Sequence, residues 1–358
     1  MFRICLAAAL ILTITTGCGK PPPALRPAPP TIRPPVAANE ATIPGPPGTQ
    51  VAQGAPAAKA PGASPTLVGM EVTSGEYFDA AKAIEAAAKD DATKFAAYFD
   101  LDALAETAIK GIDLGAQFRK GFKSGFTNQP AQTSMAGQIA AAVQMGGGYT
   151  LLRVHRHGDQ HAAIFRLQTG AGLNYHDLHF TKGTDGKIKV TDFYVLLTGE
   201  LMSTTIRQMV LPIAANQNRN LLDKLTKKES DYVTHFPKIQ EISTATRARD
   251  FAKVMEIYRS MPQSLQESKI VLIARLNAAS QSQNWDETRA ATADFRRLYP
   301  GDSTADLLGL DALILEKKYD EALAAVDRID KLVGGDPHLE TLRTNIREMK
   351  KMPQPGEF

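Results

Sequence analysis

Cysteine is nearly absent from this 358-residue chain: there are two, Cys5 and Cys18. Residues 19–358 therefore hold neither a disulfide framework nor a thiolate-based zinc site. Long apolar runs are missing too. The run at the N-terminus, Ile4 to about Ile14 in "MFRICLAAALILTITTGCGK", is shorter than the roughly 20 residues a helix needs to cross the hydrocarbon core. There is no phosphate-binding P-loop, no dinucleotide glycine fingerprint, no His-Glu-x-x-His and no Gly-x-Ser-x-Gly. The glycines of "MGGGY" (145–149) read as a helix stop. No cofactor is implied. A basic face is lacking as well. Of the net charge of +3, Arg3 supplies one unit, and Lys20, Arg26, Arg33 and Lys59 against Glu40 supply three, which leaves about −1 for residues 67–358. Nucleic acid is not an expected partner.

What is present begins with an export signal. One positive charge at Arg3, a short apolar stretch and small residues fit a secretory signal peptide over 1–17. Thr15, Thr16 and Gly17 before Cys18 resemble a bacterial lipobox, with Thr15 where that family usually has Leu. The resemblance implies a lipid anchor at Cys18. With Gly rather than Asp at position 19 it implies the outer membrane, facing the periplasm; plain secretion is the alternative. Residues 18–66 hold fourteen of the 22 prolines, among Ala, Gly and Thr. Such a stretch buries too little apolar surface to offset the entropy of ordering, so it reads as a disordered, semi-rigid tether.

Residues 67–218 read as helices, then strands, then a helix. Tyr77, Ala81, Ile84 and Ala88 fall at helical spacing, with Ser74 as the N-cap. From Tyr149 the period switches to two. "YTLLRVHRHG" and "HAAIFRLQTG" flank a Gly158-Asp159 turn, and "LNYHDLHFTKG" and "KIKVTDFYVLLTG" flank Thr184-Asp185-Gly186. Helices followed by a four-stranded antiparallel meander resemble the NTF2-like (cystatin-like) α+β fold. That likeness implies a curved sheet wrapped round a helix, with a conical pocket.

Residues 219–350 repeat. Phe251, Trp285 and Tyr319 are 34 residues apart, and Pro300 stands where a repeat ends. "YDEALAAV", with Ala322, is close to the opening of the second helix in tetratricopeptide repeats, so the region resembles an all-α TPR-like array. Two good repeats and a degenerate one are expected, with "HLETLRTNIREMKK" as a capping helix and 351–358 as a disordered tail. Such arrays share one core between stacked pairs and hold peptides or proteins on a concave face.

Five of the seven histidines lie between His155 and His179. His155 and His157 share a strand face, with His161 across the turn, but Arg153 on that face and Arg156 beside it disfavour a cation, and no metal site is assigned. In "GLNYHDLHF" (172–180), Tyr175, Asp177 and His179 face one way and Asn174, His176, Leu178 and Phe180 the other. With Leu178 and Phe180 inward, His176 lies on the pocket side. Asp192 and Tyr194 alternate in phase with Val190 and could join it. Some NTF2-like enzymes use such a His–Asp pair as general base. The expectation is nonetheless non-catalytic: no catalytic residue is assigned, His176, Asp192 and Tyr194 are the candidates if one exists, and the sheet residues form a satisfied polar network. The chain reads as a scaffold that holds a protein or peptide partner by its array. The alternative is a pocket hydrolase, isomerase or dehydratase, or a small-ligand binder.

Overall fold

The computed structural model describes residue 67 and residues 69–131, 134–170 and 172–352. The expected signal peptide, the expected lipidation site Cys18 and the expected tether lie outside the described residues, as does the tail from 353 on. A six-stranded antiparallel sheet comes first and a long run of helices follows. The strands are β1 (Met70–Val72), β2 (Gly148–His157), β3 (Gln160–Thr169), β4 (Gly172–Lys182), β5 (Ile188–Val195) and β6 (Glu200–Leu201), in that spatial order. Six strands replace the expected four. The four long ones form the expected meander, and β1 and β6 add a short strand at each edge. The two tight turns fall at glycines with positive φ, Gly158 (57°) and Gly186 (78°), where an L side chain would be strained.

Between β1 and β2 run α1 (Glu76–Asp90), α2 (Ala92–Ala96), α3 (Leu101–Ile109), α4 (Ala116–Thr127) and α5 (Met135–Gln144). Helix α1 buries one stripe, Ala81, Ile84, Ala87 and Ala88, as its spacing requires. Its N-cap is Gly75 rather than Ser74, with no side-chain cap. Phe95 of α2 meets Tyr149 of β2 edge to face at 5.6 Å, and Tyr149 stacks on Phe165 of β3 at 4.7 Å. These helices therefore cover one face of the sheet.

Helix α6 (Met202–Gln217), a 3-10 turn (Arg219–Lys224) and α7 (Lys227–Thr234) lead to the repeats. Three helical hairpins follow: α8 (Phe236–Arg247) with α9 (Phe251–Arg259), α11 (Lys269–Gln281) with α12 (Trp285–Leu298), and α13 (Thr304–Leu315) with α14 (Tyr319–Val333). The single turn α10 (Gln263–Gln266) precedes α11, and α15 (Pro337–Lys351) closes the stack. The three hairpin turns share one backbone geometry. Arg249, Gln283 and Lys317, 34 residues apart, are the described non-glycine residues with positive φ. The next residue of each turn donates to a carbonyl five back: Asp250 to Ala245 (2.9 Å), Asn284 to Ala279 (2.9 Å) and Lys318 to Leu313 (2.8 Å). That is the 6→1 closure of a Schellman-type C-cap, which satisfies carbonyls the helix end would orphan. Phe251, Trp285 and Tyr319 each open the second helix of their hairpin.

The sheet and the helical region are not separated by a gap. One apolar cluster runs from Ile84, Phe165 and Leu178 through Leu196 and Ile206 to Leu307, Val326, Ile329 and Ile346. The first helix of each later hairpin begins against the sheet. Lys269 donates from Nζ to the Gly199 carbonyl (2.5 Å) and Thr304 from Oγ1 to that of Leu196 (2.7 Å), while Asp336 accepts from Tyr175 Oη (2.9 Å) and pairs with Arg166. The second face of the sheet, with Ile164 and Tyr175 fully buried, thus lies under the C-terminal helices.

Candidate functional site

Cross-strand register sorts the polar strand residues. Phe165 of β3, His176 of β4 and Val195 of β5 lie in one row, and Ala163, Leu178 and Phe193 in the next, all on the face covered by α1–α5. His176 is therefore inward, as its alternation with Leu178 predicts. Asp192 and Tyr194 are not. A bulge between the His179 and Phe180 pairings leaves Thr191 unpaired, so Val190 and Phe193 share the inner face while Asp192 opposes His179 and Tyr194 opposes Asp177. One extra residue reverses the alternation. The expected grouping of His176, Asp192 and Tyr194 does not form.

His176 has instead a closed set of partners. Asn174 Oδ1 accepts from the backbone N–H groups of Tyr175 (2.8 Å) and Leu197 (3.0 Å), which fixes its amide orientation. Asn174 Nδ2 then donates to His176 Nε2 at 3.1 Å, and the proton left on Nδ1 points at Tyr149 Oη, 3.2 Å away. Both ring nitrogens are used. Burial pushes the imidazole down to about 4 and the Tyr149 phenol well up, so both are neutral near pH 7. No carboxylate joins them, and acid–base work at His176 requires breaking this network.

The other face carries the charged residues. His155 Nε2 lies 2.8 Å from Asp177 Oδ1, and His179 Nε2 lies 3.6 Å from Asp177 Oδ2. His155 is 1% and Asp177 3% exposed. Burial raises the Asp177 carboxyl, but hydrogen bonds and charge from the two imidazoles outweigh it and the group lies below its ordinary range. For His179, burial is opposed by Asp177 and Asp192, and the net shift is upward. Asp192 caps α6, accepting from Ser203 N (3.1 Å) and Ser203 Oγ (2.5 Å). His161 faces the opposite way from His155 and His157, opposing Arg156 and stacking on Tyr77 at 3.8 Å. The three imidazoles considered for zinc are therefore split between two faces. Among the described residues no group of three His, Cys, Asp or Glu is placed to hold a metal ion, and no helix is long and apolar enough to cross a membrane.

Sequence reasoning missed an enclosed carboxylate at the head of α15. Asp336 Oδ2 accepts from Tyr175 Oη (2.9 Å), and Oδ1 accepts from the His338 N–H (2.9 Å) and Arg166 Nη1. Two glycines place it there: Gly334 (φ 75°) and Gly335 (φ 106°) turn the chain left-handed before Pro337 starts α15. The string Gly-Gly-Asp-Pro signals such a turn, but nothing in it names Arg166, 170 residues away. The second enclosed cluster is at Gly199 (φ 64°), where a Cβ would lie 2.5 Å from Asp302 Oδ2, 2.7 Å from Thr304 Oγ1 and 2.9 Å from Lys269 Nζ.

No family model, no curated protein and no solved structure is similar to this chain.

Proposed function

We propose that this chain is a non-catalytic scaffold of the bacterial cell envelope, with an NTF2-like α+β domain and a TPR-like array that hold a protein partner near the membrane. The observation that carries the reading is the recurrence of one helix–turn–helix geometry at 34-residue intervals, with identical caps at Arg249, Gln283 and Lys317. Repeats of this length stack into extended surfaces whose use is binding rather than chemistry. The first helices of the later hairpins begin against the chain's own sheet and α14 packs into the core it shares with the sheet, so on this reading the partner meets the exposed faces of the second helices α9 and α12. Pocket chemistry is the weaker reading, because His176 lacks a carboxylate on its face and is fully hydrogen-bonded.

The test is affinity capture from detergent-solubilised envelopes with the full chain and with a Lys253→Glu, Arg259→Glu, Arg297→Glu variant. All three residues are exposed on α9 and α12. Proteins retained by the wild type and lost by the variant support the reading. Equal retention by both moves the binder off the array, and no specific retention by either refutes the scaffold.

A further inference from the structure

We draw no further inference here: the strongest candidate, the cluster at the junction of β6 with the helices, where the half-buried Glu200 carboxylate accepts from Gln208 Nε2 (3.1 Å) near Lys228 and Lys269, rests only on the upward shift that burial gives that carboxyl.

Discussion

Replacing Asp336 by alanine should destabilise the sheet and the helical array together. The carboxylate is fully buried, and three donors converge on it: Arg166, Tyr175 Oη and the His338 N–H. Its removal strands the Arg166 guanidinium, and deleting one partner of a buried ion pair costs about 3–5 kcal/mol. The orphaned Tyr175 hydroxyl is worth about 1–3 kcal/mol, and loss of the α15 cap about 1 kcal/mol. These losses share one carboxylate and do not add, so the expected total is about 4–5 kcal/mol. Against a typical stability of roughly 5–15 kcal/mol this is large. Asp336→Asn keeps one acceptor oxygen for the cap and turns an amide N–H₂ toward Tyr175 Oη, which can accept it, and should cost about half as much. Urea unfolding reads both halves at once, because the one tryptophan, Trp285, sits in the array while circular dichroism follows the whole chain. Trp285 opens α12, whose Ala291 and Phe295 form a cluster of their own, and Leu308 packs against both that cluster and the one shared with the sheet, so the two transitions should coincide and shift together. A shift below about 1 kcal/mol, far under the cost of stranding a buried charge, would refute the reasoning. So would a Trp285 transition separated from that seen by dichroism.

Gly199→Ala should cost about 2–4 kcal/mol, since a left-handed alanine alone costs roughly 1–2 kcal/mol and the new methyl also displaces Asp302, Thr304 or Lys269; thermal melting checks it, and a loss under 1 kcal/mol contradicts the contact. The Asp177 bridge should give a stability window in pH. Its carboxyl is lowered, so that contribution is present above about 4 and lost as pH falls through the folded value; His179 is raised, so its contribution is present below about 6.5 and lost as pH rises. Asp177→Asn should flatten the difference between urea midpoints at pH 5 and pH 8, and an unchanged profile would remove the bridge from the account. His176, held neutral by burial, should show no imidazole titration by NMR between pH 5 and 8, whereas a midpoint near 6.5 would reopen catalysis there. Cys18→Ser should release the chain from the membrane fraction and abolish palmitate labelling if the lipobox reading is right, and unchanged fractionation would count against it.

The features legible in the sequence were local ones. The 34-residue spacing of Phe251, Trp285 and Tyr319 marks three equivalent helix starts because a repeat writes its period directly into the chain. Gly158-Asp159 and Thr184-Asp185-Gly186 mark the turns because few residues accept left-handed φ. Two-residue alternation put His176 inward because β4 is regular over its length. The same rule failed on the neighbouring strand, β5. A bulge at Thr191 leaves no mark in "KIKVTDFYVLL", yet it carries Asp192 from the face of His176 to that of His179. The edge strands β1 and β6, three and two residues long, are too short to show a period at all. The contacts that join the halves could not be read either, since Arg166–Asp336 and Thr304–Leu196 span 170 and 108 residues. Those contacts change what the repeats mean. An array whose first helices butt against a sheet is fixed in curvature by that sheet. Any partner it takes must fit a surface already set, and binding should leave the junction at Gly199 and Asp336 undisturbed.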